Sequence, residues 1–176
     1  MAGVGKSTVG RRLARRLGRK FLDTDAWVSR SENASVADIF AKSGEEHFRR
    51  LEASAVMAVL SFPEECVIAF GGGVVVTREN REAIAATGSA IWMRVGSQSI
   101  ARRLGSVKGR PLLADDDPVI AWERLAEKRA DLYAEVASAV VDVDGMSIAA
   151  MADAVLDTCS GLGASKDARP HSGGVG

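Results

Sequence analysis

Ala2-Gly3-Val4-Gly5-Lys6-Ser7-Thr8 is the stretch whose reading decides the fold. It matches the second half of G-x-x-x-x-G-K-[ST], the loop that cradles nucleotide phosphates between a strand and a helix. Lys6 can set an ammonium against the terminal phosphates, and the Ser7 hydroxyl is suited in kind and place to ligate Mg2+. Gly3 and Gly5 let backbone N–H groups approach an anion closely. Val9, Leu13, Ala14 and Leu17 follow at helical spacing, so a helix starting near Lys6 aims its positive end at the same anion. A glycine-rich tail before an ordinary helix is the poorer account of this combination. Counting back, the first glycine of the pattern falls one residue before Met1, and the strand that feeds the loop falls earlier still. Such a strand would be central and would bury about five side chains at roughly 1.5–3 kcal/mol each. The expectation is that the coding region begins upstream of Met1.

Outward from that loop, 176 residues make one domain able to bury a core. Lys+Arg 23 balances Asp+Glu 23, which argues against nucleic acid or an anionic membrane as the main partner. No apolar run is long enough to span a bilayer and no signal-peptide core opens the chain, so a cytoplasmic protein is expected. Cys66 and Cys159 fit no metal pattern and read as reduced thiols. His47 and His171 cannot make a metal site alone.

Strands and helices alternate. Helices are predicted over 6–18, 35–41, 45–60, 79–86, 98–104, 118–137 and 147–157, and strands over 21–23, 66–70, 90–95 and 140–143. Ser35 with Asp38 forms a cap, and Pro118 suits a first helical turn after Asp117. The arginines at 11, 12, 15, 16 and 19 read as a solvated face late in the first helix. Gly161 to Gly176 is expected to be disordered. The pattern is α/β, a parallel sheet with helices on both faces.

Asp23 and Asp25 follow a strand at spacing two. In an extended segment they share one face roughly 7 Å apart, so that one can serve a metal and the other an acceptor hydroxyl; ordinary turn aspartates have the same pattern. Arg49 shares a helix stripe with Val56 and Leu60, and Glu52 is three residues on. Arg129 falls inside an apolar stripe of Trp122, Leu125, Tyr133 and Val136, where a guanidinium needs an anionic partner, from the protein or from a ligand. Gly71-Gly72-Gly73 strips side chains from the carboxyl edge of the sheet, where α/β proteins bind ligands. Arg110, in the Gly- and Asp-rich loop 105–117, can swing over a nucleotide to neutralise charge. Trp27, Trp92 and Trp122 read as packing residues.

Together these residues resemble the shikimate kinases. The resemblance spans Met1 to about Leu156 and is carried by G-V-G-K-S-T-V-G (3–10), F-L-D-T-D (21–25), A-D-I-F (37–40), F-R-R-L-E (48–52), G-G-G (71–73), R-P-L-L (110–113) and K-R-A-D-L-Y (128–133). It implies a P-loop NTPase fold of the nucleoside monophosphate kinase-like type, one domain over 1–160 with a helical substrate subdomain about 25–60 and a mobile lid about 105–117. The implied reaction is ATP-dependent phosphorylation of the 3-hydroxyl of shikimate, on the way to chorismate and aromatic amino acids, by a monomer. By position, Gly3, Val4, Gly5, Lys6, Ser7 and Thr8 would bind ATP, and Ser7 with Asp23 would serve Mg2+. Asp25 would bind the shikimate hydroxyls and position the attacking one, or take its proton. Arg49 and Arg129 would clamp the carboxylate beside Gly71, Gly72 and Gly73. Arg110 would be the lid arginine, with Arg103 near the adenine, and Phe40 and Phe48 would pack beside the substrate. A kinase of another small polyol or acid is the alternative on the same fold, and two guanidiniums speak for a carboxylate-bearing substrate.

Overall fold

The computed structural model describes residues 3–97, 99–100 and 118–167. Its elements are α1 (Lys6–Leu17), β1 (Lys20–Asp23), α2 (Thr24–Ser31), α3 (Val36–Leu60) and β2 (Cys66–Ala69). A short 3-10 turn (Val74–Val76) leads to α4 (Arg78–Ala85), β3 (Ile91–Arg94), α5 (Pro118–Val136), β4 (Ala139–Asp142) and α6 (Ile148–Asp167). All strand pairing is parallel. β1 runs beside β2 with Lys20 opposite Cys66 and Asp23 opposite Ala69. β3 runs beside β4 with Ile91 opposite Ala139 and Arg94 opposite Asp142. The four strands thus form two hydrogen-bonded pairs.

Apolar periodicity explains how the layers close. Val9 and Leu13 of α1 pack with Val141, Val143, Met151 and Val155 in the main core, and Val67 of β2 and Met93 of β3 lean on the same cluster. A second cluster joins Val56 of α3 to Val74, Val75, Ile84 and Val136. A third, Val28, Ile39, Phe48 and Ala55, joins α2 to α3, with Ala34 of the link between them packed against it. Arg16 of α1 pairs with Asp153, and Arg19, just past the end of that helix, pairs with Glu65 at 2.5 Å.

Two sequence expectations change, and one boundary holds. Asp23 and Asp25 do not share an extended segment. β1 stops at Asp23, whose carboxylate accepts the Ala26 N–H at 3.2 Å as the N-cap of α2, so Asp25 lies in the first turn of a helix. The predicted helices 35–41 and 45–60 are both present within α3, divided at Gly44, whose φ of 78° and ψ of 174° interrupt the helix; a left-handed φ favours glycine there. The last helix does not end at Asp157, and the disorder expected from Gly161 fails over 161–167, because α6 continues to Asp167. Once a helix is nucleated each added residue gains a bond, and isolated glycines among Leu162, Ala164 and Lys166 weaken the helix without ending it. Residues 168–176, most of the predicted 98–104 helix, Arg103, Arg110 and the 105–117 loop lie outside the described residues.

Candidate active site

The N-terminus of α1 is built for an anion. Gly5 caps it in the left-handed region (φ 95°), no side chain supplies a capping bond, and no acidic residue stands in the first turn. Such a helix end leaves N–H groups and positive dipole facing outward. Val4 is buried in the core beside this turn, while Gly3, Gly5, Lys6 and Ser7 are half-buried and Thr8 is exposed. Ser7 Oγ donates to Asp23 Oδ2 at 2.6 Å, which ties the first turn of α1 to the carboxyl end of β1. No group of three or more His, Cys, Asp or Glu able to hold a metal occurs among the described residues. A hydroxyl beside one carboxylate does suit Mg2+, which uses few protein oxygens and keeps waters and substrate phosphates for the rest.

A second constellation surrounds Gly71-Gly72-Gly73. Gly71 presses on Asp25 and Glu52, so that a Cβ there would overlap the Asp25 carboxylate and stand 3.1 Å from Glu52 Oε1. A Cβ on Gly73 would overlap the Arg49 guanidinium. Arg129 Nη1 donates to the Gly72 carbonyl at 2.9 Å, and the Tyr133 hydroxyl donates to the same oxygen at 2.6 Å. Thr24 Oγ1 accepts the Gly71 N–H at 2.8 Å. Thus β1, α2, α3 and α5 bring Asp25, Arg49 and Arg129 to one glycine segment.

Electrostatics at this segment are mutually compensating. Arg49 donates through Nη1 to Glu52 at 2.6 Å and through Nη2 to Glu45 at 2.8 Å, and its guanidinium also lies 5.6 Å from the Phe48 ring centroid. Burial alone would lower its pKa, but Glu52 and Glu45 outweigh that and hold it above the usual value. Glu52 is fully buried. Burial lifts its carboxyl above the ordinary range, Asp25 adds to the lift, and Arg49 and Arg129 oppose it. Burial pushes the Tyr133 phenol up to about 12, with Arg129 opposing and Glu52 assisting, so it remains a hydrogen-bond donor at working pH. The rings of Phe40 and Phe48 pack at a tilt of 36° with centroids 4.6 Å apart.

The sequence model of the shikimate kinase family matches residues 2–160. The chain belongs to the shikimate kinase family. The kinase is 44% identical over 151 residues to a shikimate kinase of Symbiobacterium thermophilum, covering 84% of this chain and 86% of that one. It is 37% identical over 161 residues to one of Histophilus somni, covering 91% of each. Among solved structures, shikimate kinase from Acinetobacter baumannii in complex with shikimate superposes with a TM-score of 0.84 at 31% identity, covering 95% of this chain and 90% of that one. The fold is therefore that of the P-loop kinases, and this kinase is a phosphotransferase that phosphorylates shikimate with ATP as co-substrate. No helix among the described residues is long and apolar enough to cross a membrane.

Three residues of the glycine-segment network were not assigned from sequence. Glu52 left a trace, since it interrupts the buried face that Phe48, Val56 and Val59 make on α3. Tyr133 stands four residues after Arg129, one turn along the same helix face, but reads as one more apolar residue. Thr24 left no signal.

Proposed function

We propose that the kinase transfers the terminal phosphoryl of ATP to the 3-hydroxyl of shikimate through two half-sites joined at Asp23-Thr24-Asp25. On the nucleotide side, Gly3 to Thr8 cradle the phosphates by backbone N–H groups, and Lys6 neutralises charge on the terminal ones. Ser7 and Asp23 would hold Mg2+, which when bound would screen the phosphate charge. On the acceptor side, Arg49 and Arg129 take the shikimate carboxylate, for which planar guanidiniums are well matched. Gly71, Gly72 and Gly73 let the ring approach the backbone. Asp25 positions the attacking hydroxyl and accepts its proton. Phosphoryl transfer has a loose transition state, so orientation and charge neutralisation do most of the work. Arg110, with Arg103 toward the adenine, adds charge neutralisation from a lid over 105–117, and residues 25–60 act as the substrate subdomain. The working form is a cytoplasmic monomer.

The gathering of Asp25, Arg49 and Arg129 along Gly71–Gly73, one turn of chain from the Ser7–Asp23 contact, supports these roles. A coupled ADP-release assay tests them. Turnover should require shikimate, and Arg129→Ala should lose saturation with shikimate while still binding ATP. Unchanged shikimate kinetics in that variant would remove Arg129 from the substrate clamp.

A further inference from the structure

The described residues bury three polar or charged side chains, Thr24, Glu52 and Asn80, and all three serve the segment that follows β2. Asn80 Nδ2 donates to the Val74 carbonyl at 3.2 Å, Glu52 lies beside Gly71, and Thr24 Oγ1 accepts the Gly71 N–H at 2.8 Å. Burying a polar group is costly unless it is partnered. Three such groups on one stretch of backbone therefore mark that stretch as held in place. Thr24 is fully buried and belongs to both sides of the contact. The ladder between β1 and β2 ends at Asp23 and Ala69, and the Thr24 hydroxyl takes the Gly71 N–H two residues past that end. Its β-branched side chain has few rotamers, so the grip is stiff. Its neighbour in sequence, Asp25, is the residue whose carboxylate lies against Gly71.

We propose that Thr24 is a positioning residue for phosphoryl transfer: its buried hydroxyl, by accepting the Gly71 N–H, holds the glycine segment against Asp25 and sets where the acceptor hydroxyl meets that carboxylate. Thr24 acts through Asp25, so this rests on the role proposed for Asp25 above. The hydroxyl is not consumed and exchanges no proton; it fixes two backbone segments relative to each other. Loss of the acceptor leaves a buried N–H unsatisfied, and the glycine segment relaxes away from Asp25.

Steady-state kinetics on the full chain test this. Thr24→Val keeps the shape and removes the acceptor, Thr24→Ser keeps the hydroxyl, and Thr24→Cys offers a weak sulfur acceptor that covers the case in which the valine variant does not fold. The expected result is a fall in kcat of about tenfold or more for Thr24→Val, because small misplacements of reacting groups are expensive. Thr24→Cys should fall similarly, Thr24→Ser should recover most of the loss, and KM for ATP should stay within about twofold throughout. Thermal midpoints keep the assays below unfolding. If kcat for Thr24→Val and Thr24→Cys equals that of Thr24→Ser and only the midpoint moves, Thr24 is structural and the proposal is overturned. Asp25→Asn run alongside separates the two ideas. An inactive Asp25→Asn with an unimpaired Thr24→Val sinks the role of Thr24 alone, whereas an active Asp25→Asn sinks both.

Discussion

The two halves of the site are built on opposite principles. Around Gly71–Gly73 the charges are already partnered within the protein: Arg49 holds Glu52 and Glu45, and Arg129 and Tyr133 share the Gly72 carbonyl. At the N-terminus of α1 no side chain caps the helix and its own first turn holds no acidic residue, the nearby carboxylate being that of Asp23 on Ser7. The difference fits what each half receives. A polyphosphate brings enough charge to complete an open helix end. A small hydroxylated acid brings one carboxylate, and on the proposed assignment it meets cations already seated, Arg49 on Glu52 and Glu45 and Arg129 on the Gly72 carbonyl. Preorganisation of this kind is what lets orientation lower a barrier.

Substitutions that disturb only one half sharpen this contrast. The largest effect is expected from Gly71→Ala, whose new methyl would overlap the Asp25 carboxylate. Displacing that short side chain should lower kcat by about a hundredfold and leave KM for ATP unchanged, as steady-state kinetics with each substrate varied would show. A parallel rise in KM for ATP would mean that the halves are not separable. Ser7→Ala should be milder and opposite in kind. With the Ser7–Asp23 bond lost, the Mg2+ concentration for half-maximal rate should rise about tenfold, with shikimate saturation intact.

The smallest and most specific effect is spectroscopic. Tyr133 is the single tyrosine of the chain, so absorbance of the phenolate reports it alone. In the folded protein the phenol should titrate near 12, against about 10 in denaturant. The raised value means the native state holds this proton more tightly than the unfolded chain. The associated stability is fully present below about pH 10 and is lost as pH rises through about 12. A folded-state midpoint near 10 would show that the phenol is solvated and not seated on Gly72.

The architecture was legible wherever local pattern carried it. The phosphate loop, the helix behind it, the alternation of short apolar strands with helices and the break between helices 35–41 and 45–60 all follow from spacing and glycine placement. α2 was not legible, because Thr24–Ser31 offers few strong helix formers; it is held by the Asp23 cap and by Val28 packing into the cluster with Ile39 and Phe48. Pairing of the four strands in twos was equally beyond local pattern, since register depends on partners distant in the chain.

What the chain alone determined is the chemistry on offer: a helix end for phosphate, paired aspartates, two arginines and three bare glycines, each a matter of residue type and near-neighbour spacing. What only the tertiary structure decided is which of these meet, and through whom. Thr24, Glu52 and Tyr133 look like an ordinary threonine, a helix glutamate and a core aromatic until β1, α3 and α5 converge. Burial then removes water as a competing partner, and their polar atoms must bond to the protein groups that converge on them.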